Sequence, residues 1–136
     1  MSMKPAMSLV GRIGLTGILL NMLIGLSSVG AEDPVQAEIA HLLVFVRDSE
    51  CVFIRNGQAH KSRDAEIHIK RKYEHFKNRI TTAEAFIYFT ATRSMLSDRI
   101  YMVRCGEREM PSSTWLQSEL DSFRRRTSKE GVTVAD

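Results

Sequence analysis

Apolar residues recur at helical spacing in four stretches of the chain. In the first, Asp33 can cap a helix and Pro34 suits its first position, and apolar residues from Val35 to Val46 follow at that spacing, so a helix is predicted over residues 34–48. Ser62 begins a second predicted helix, and the segment Thr81-Thr82-Ala83-Glu84 has Thr and Glu at capping-box spacing before a third. Helices are therefore predicted over residues 34–48, about 63–78, about 83–93 and about 114–125.

Two other stretches have the short, β-branched and aromatic character of strands. The segment 51–55 leads into Asn56-Gly57, a dipeptide that favours the two positive φ angles of a type I′ hairpin, and the segment 58–61 returns. A third strand is predicted over residues 99–105, ended by Gly106. No internal repeat is visible. The order predicts an α+β domain with about four helices packed on a small antiparallel sheet.

The first 31 residues have the order of a secretory signal peptide. Lys4 and Arg12 precede an uncharged apolar run, Ile13–Leu26, and small residues end at Ala31, the expected cleavage site. A retained membrane anchor is the alternative, but the run is shorter than the roughly 20 residues that a spanning helix needs. Bacterial export to the periplasm, with membrane contact only through an uncleaved leader, is therefore predicted.

The expected mature chain, residues 32–136, is short and nearly neutral. Its 105 residues suit one domain, predicted over 32–126, followed by a flexible tail over 127–136. The leader holds two of the nineteen Lys and Arg residues and none of the sixteen acidic residues, which leaves a net charge of +1. Such a weak positive charge argues against a nucleic-acid partner.

The two cysteines, Cys51 and Cys105, both lie in the mature part. An even count in a small exported domain predicts one disulfide, which would tie the hairpin to the third strand and turn Phe53, Tyr101 and Val103 toward one core. Metal binding or a redox pair is the alternative, although the 54-residue spacing contains no Cys-x-x-Cys motif.

A polar stripe follows one edge of the second predicted helix, with His68, Lys72, His75 and Arg79 at helical spacing. It is either a solvated face, a groove in which His68 and Lys72 meet an anionic ligand, or a metal site. His68 and His75 lie about 10 Å apart along the helix axis, which is too far for one ion without further ligands. No cofactor motif or complete metal-ligand set is present.

A polar loop, residues 94–98, connects the third helix to the third strand. Its two hydroxyls are typical of a turn. If the strand lies beside the hairpin, Ser94 can approach Arg55 or Lys72, and a serine with a lysine is a known nucleophile arrangement. The spacing alone leaves both interpretations open.

Several segments together resemble the YfeK-like proteins, a family of short exported proteobacterial proteins of unknown function. These segments are Cys51-Val52-Phe53-Ile54-Arg55-Asn56-Gly57, Ala65-x-x-His68-x-x-x-Lys72-Tyr73, Thr82-Ala83-Glu84-x-Phe86-Ile87, Ser94-x-x-Ser97-x-x-x-Tyr101 and Trp115-Leu116-x-x-Glu119-Leu120. The resemblance implies that the candidate functional residues are Arg55, Asn56, His68, Lys72, Ser94, Ser97 and Tyr101. Where the family pattern has an aromatic residue at 60 and a glycine at 98, this chain has His60 and Asp98.

The chemistry of these residues favours a periplasmic, non-catalytic module that binds an anionic envelope component or protein partner. Arg55, His68 and Lys72 are donors or cations, and no paired carboxylates accompany them. A small envelope hydrolase that uses Ser94 or His68 with Lys72 is the alternative. A structural helper that docks through exposed apolar surface is a third hypothesis.

Overall fold

A computed structural model describes residues 2–3 and 30–133 of the chain. The helices are α1 (Pro34–Asp48), α2 (Ser62–Phe76), α3 (Ala83–Ala91) and α4 (Ser112–Thr133), and the strands are β1 (Val52–Arg55), β2 (Gln58–Lys61), β3 (Met102–Cys105) and β4 (Arg108–Pro111). A 3-10 turn, Lys77–Arg79, follows α2. The predicted α+β class is confirmed. The predicted leader lies almost entirely outside the described residues.

Local sequence signals account for most element boundaries. Asp33 accepts a hydrogen bond from the Val35 amide at the start of α1, and Thr82 accepts one from the Ala85 amide at the start of α3. Asn56 and Gly57 have φ angles of 53° and 77°, as the predicted type I′ turn requires. The helices α1 and α2 and the first hairpin therefore lie close to their predicted ranges.

The sheet has four strands in the order β2-β1-β3-β4, each antiparallel to its neighbours. The sequence predicted three, with Gly106 as the end of the last. Gly106 instead begins a second two-residue hairpin turn, where it has a φ of 62°. The strand that follows, Arg108–Pro111, lies at the sheet edge and is polar and largely exposed at its start, so it lacks the apolar alternation by which strands are recognised.

The order of helices and strands repeats once, although no repeat is visible in the sequence. The series α1-β1-β2-α2 is followed by α3-β3-β4-α4, and the two inner strands pair with Phe53 opposite Val103. Continuing this register past the ladder sets Cys51 opposite Cys105 at one end of the pair and Arg55 opposite Tyr101 at the other. The disulfide therefore lies at one end of the central strand pair, and the Arg55–Tyr101 pair lies at the other end.

The core lies between the helices and the sheet face that carries Phe53, Tyr101 and Val103, all three of which are buried as predicted. Cys51 and Cys105 form the predicted disulfide, with Cα atoms 4.6 Å apart. The most completely buried aliphatic side chains come from three elements, α1, β3 and α4: Leu42, Val46, Val103, Leu116 and Leu120.

The last helix is longer than its pattern predicts, because it begins at Ser112 and continues to Thr133. Arg124 pairs with Glu38 of α1 at 2.6 Å and with Glu84 of α3, which fixes the middle of α4 against two other helices. The segment predicted as a flexible tail is thus helical as far as Thr133, and its flexibility stays a prediction.

Candidate anion-binding site

Lys72 is the central residue of the candidate site. It lies one turn after His68 on α2, and its residue surface is only 8% exposed. The Nζ atom donates a hydrogen bond to the Arg93 carbonyl oxygen at 2.9 Å and lies 5.0 Å from the centre of the Tyr101 ring. Within residues 30–133, no carboxylate forms an ion pair with Lys72. In the described part of the chain, the buried Lys72 therefore has a carbonyl and an aromatic face as partners but no counterion.

His68 and Tyr101 join α2 to the segment that enters β3. The His68 Nε2 atom is 3.3 Å from the Tyr101 hydroxyl oxygen, and the two rings meet edge to face with centres 5.8 Å apart. Burial lowers the pKa of His68 to about 4, helped by the positive charges of Arg55 and Lys72. The imidazole is therefore neutral at pH 7.

Arg55 adds a second permanent cation, at the end of β1 opposite Tyr101. Burial lowers the pKa of Lys72 below its usual value, and repulsion from Arg55 lowers it further. Burial raises the pKa of Tyr101, while Arg55 and the Ser94 hydroxyl oppose that rise. These shifts share one cause, the burial of polar groups, and they show that Arg55 acts electrostatically on the other members of the site.

The loop 94–98 supports the site. Ser94 is buried, and its Oγ accepts hydrogen bonds from the Leu96 and Ser97 amides at 3.3 Å. The Ser97 hydroxyl donates a 2.5 Å hydrogen bond to Asn56 Oδ1, which ties the loop to the first hairpin turn. Asp98 has a φ of 56°. Glycine adopts that conformation without strain, whereas an aspartate there is less favourable.

Asn56 and Ser97, two of the seven residues that the resemblance implies, are hydrogen-bonded to each other. The structure brings the other five together: Arg55, His68, Lys72, Ser94 and Tyr101. Ser97 belongs to the loop that braces them. In the other half of the polar stripe, His75 packs against the Phe76 ring. The Arg79 guanidinium lies 4.5 Å from the centre of the Phe89 ring and lines a surface concavity together with Lys72.

Ser112 is a polar residue of this region that the sequence pattern did not single out. It is 3% exposed, and its Oγ has no hydrogen-bond partner within the part of the chain that the structure describes. It lines a cavity of about 30 Å³ whose wall is mostly apolar and also includes Arg55, His60, His68 and Tyr101. The volume is sufficient for a water-sized group. A serine at the start of a helix is ordinarily interpreted as a cap, so its sequence position carried no signal of this role.

Two open concavities flank the cavity. One, of about 230 Å³, lies on the His60 side and includes Arg55, Asp64 and Arg71. The other, of about 320 Å³, lies beyond Lys72, and its lining joins three cations to four aromatic or apolar side chains: Lys72, Arg79, Arg93, Phe76, Tyr88, Phe89 and Met95. The second concavity has no acidic residue in its lining, so an anion can approach Lys72 from that side.

Potential metal ligands do not gather in the described part of the chain, where no three His, Cys, Asp or Glu side chains are placed to share an ion. Among the helices that the structure describes, none combines the length and apolar character required to cross a bilayer.

Comparison with known proteins agrees with the sequence resemblance. The chain is 36% identical over 62 residues to the uncharacterized protein YfeK of Salmonella typhimurium, and the aligned part covers 46% of this chain and 52% of that protein. The chain thus spans about half the length of this curated relative. No solved structure is significantly similar. A family model, DUF5329, matches residues 33–124, which include the whole sheet and every residue of the candidate site. The chain therefore belongs to DUF5329, a family of unknown function.

Proposed function

We propose that this protein is a non-catalytic binding module for an anionic ligand in the bacterial periplasm. The observation that carries the proposal is the burial of Lys72, a residue that is 8% exposed and has no acidic partner among residues 30–133, beside Arg55, His68 and Tyr101. The disulfide supports the compartment, because such bonds persist where thiols oxidise.

The physical argument rests on uncompensated charge. A buried ammonium group has three donors, and Lys72 uses one of them on the Arg93 carbonyl. An anion near Nζ would accept a charge-assisted hydrogen bond and restore the electrostatic stabilisation that burial removes. At an effective dielectric constant of 20, two unit charges 4 Å apart attract by about 4 kcal/mol, which is an upper bound on the gain. Arg55 adds attraction of the same sign.

The geometry also supports binding over the hydrolase alternative. A serine nucleophile activated by Lys72 or His68 needs a hydrogen bond from its Oγ to one of those groups. Ser94 Oγ instead accepts bonds from two backbone amides, and Lys72 Nζ is directed at the Arg93 carbonyl. The hydroxyl of Ser94 thereby shapes the loop.

The test is a titration of the protein with inorganic phosphate, monitored by isothermal titration calorimetry and by the NMR signals of His68. We expect Lys72→Gln to weaken phosphate binding at least tenfold, since a charge-assisted hydrogen bond contributes about 1.5–3 kcal/mol. Lys61→Gln is the matched control: Lys61 is an exposed lysine of β2 and lies outside the site. Phosphate should also raise the pKa of His68 from its value of about 4.

Circular dichroism of Lys72→Gln separates loss of the ligand from loss of the fold. The more conservative variant Lys72→Arg keeps the charge and should retain part of the affinity. The proposal fails if folded Lys72→Gln binds phosphate as tightly as the unsubstituted protein, or if Lys61→Gln weakens binding equally.

A further inference from the structure

The loop beside the candidate site presents large apolar side chains to solvent. Leu96 is 97% exposed, Met95 65% and Ile100 54%. A single exposed leucine is common on protein surfaces, but here three exposed large apolar residues lie within six positions of one segment. Met95 also lines the 320 Å³ concavity that contains Lys72, so this apolar tip adjoins the cationic site.

The tip is held in its exposed position by the residues around it. Ser94 Oγ binds the amide of Leu96 itself, Ser97 is bonded to the hairpin turn at Asn56, and Asp98 pairs with Arg93 at 2.9 Å. These contacts fix the loop backbone at both ends of the tip. Leu96 therefore projects from a loop whose backbone is already held in place. Because the loop is ordered beforehand, it loses less conformational entropy when the tip binds another surface.

Basic side chains lie on either side of the apolar tip in sequence and in the concavity beside it. Arg93 directly precedes the loop, Arg99 lies near its end, and both are exposed, while Lys72 and Arg79 line the adjoining concavity. Asp98 is the acid on the loop, and its charge is paired with Arg93. Arg99 and the concavity cations Lys72 and Arg79 therefore leave positive charge beside an apolar tip. This arrangement is complementary to the surface of an anionic bilayer, where phosphates lie directly above an apolar layer.

We propose that the loop 94–100 docks on an anionic phospholipid bilayer, with Leu96 and Met95 entering its interface and a headgroup phosphate occupying the concavity at Lys72. The inference rests on the proposed anion-binding function and names the source of the anion. It differs from the sequence prediction of membrane contact through the leader alone, since exposure of this tip is a property of the folded loop. Docking of this kind is reversible and is weakened by salt, which screens the basic residues.

The experiment measures sedimentation with vesicles of phosphatidylglycerol and phosphatidylcholine, and with vesicles of phosphatidylcholine alone. The protein is produced from the full chain in an exporting host. Mass spectrometry establishes that every variant has the same N-terminus, because a retained leader would itself bind vesicles. We expect binding to the phosphatidylglycerol vesicles that decreases as salt increases.

The decisive variant is Leu96→Ser. Burial of a leucine side chain contributes about 1.5–3 kcal/mol, so its loss should weaken vesicle binding roughly tenfold or more. Val44→Ser is the matched control, because Val44 is an exposed apolar residue of α1, 44% exposed, outside the loop. It should stay within about twofold of the unsubstituted protein.

Titration of Leu96→Ser with inorganic phosphate distinguishes the two proposals. Unchanged phosphate affinity with weakened vesicle binding supports both of them. If vesicles are not bound, or are bound equally by Leu96→Ser or equally without phosphatidylglycerol, while phosphate still binds through Lys72, the membrane inference is overturned and the anion-binding proposal stands. If the unsubstituted protein does not bind phosphate, both proposals are overturned.

Discussion

Removal of the disulfide is the perturbation whose effect can be worked out most directly from the structure. Cys51 and Cys105 are separated by 54 positions, and each lies just at the end of the central β1–β3 pair. Replacing both by alanine leaves the backbone ladder from Val52 to Ile54 in place. The main change is therefore in the unfolded chain, which is no longer closed into a loop.

The chain-entropy relation gives the size of this effect. For a closed loop of about 55 residues it predicts that the disulfide contributes about 4 kcal/mol at 25 °C, in a model that attributes the whole effect to the unfolded state. Domains of this size have total stabilities of about 5–15 kcal/mol. At about 4–8 °C per kcal/mol for a small domain, the double variant should melt roughly 15–30 °C below the oxidised protein.

Urea unfolding followed by circular dichroism measures the difference. The oxidised protein, the reduced protein and Cys51→Ala/Cys105→Ala should be compared, and the last two should agree. The urea dependence should be steeper without the bridge, because the open unfolded chain exposes more surface. A loss below about 1 kcal/mol in the double variant would refute this reasoning, since it would mean that loop closure does not dominate.

The same variant also tests the placement of the site. Because Arg55 and Tyr101 occupy the end of the β1–β3 pair away from the disulfide, the folded double variant should bind phosphate within about twofold of the oxidised protein. A large loss of affinity in fully folded protein would contradict that separation.

Two further predictions concern groups buried near the site. His68 has a pKa of about 4 in the folded protein and about 6.5 when unfolded, so the unfolded state binds the proton first and stability falls as pH decreases from about 6.5 to 4. The full shift corresponds to about 3 kcal/mol of stability, which partial exposure reduces to about 1–2 kcal/mol. His68→Gln should abolish this part of the pH dependence of stability, measured by urea unfolding. If the pH dependence is unchanged in that variant, other groups cause it. Ser112→Ala removes a buried hydroxyl that has no partner among residues 30–133 and should change the free energy of unfolding by less than about 1 kcal/mol. Leu116→Ala, at a fully buried position one turn later, should instead cost about 3–5 kcal/mol. A large destabilisation by Ser112→Ala, measured by the same urea unfolding, would show that its hydroxyl has a strong interaction in solution.

Most of the fold could be predicted because its signals are local. The Asp33 and Thr82 caps and the Asn56-Gly57 turn depend on backbone groups a few residues away, so the sequence specifies them without reference to the rest of the chain. The cysteine count predicted the disulfide, since a small exported domain gains stability from one cross-link. The edge strand Arg108–Pro111 was missed because it buries little apolar surface and therefore carries no periodic pattern.

The candidate site divides in a similar way. The sequence by itself determined the spacing of His68 and Lys72 on one edge of α2 and the donor chemistry of Arg55. Only the tertiary structure decided that the predicted Tyr101 contacts His68, that Lys72 is buried without an acidic partner among residues 30–133, that Ser112 lines the cavity and that Leu96 is exposed. The physical reason is that the burial of a side chain and the compensation of its charge depend on many residues that are distant in sequence. Here the β1–β3 pairing brings those residues together.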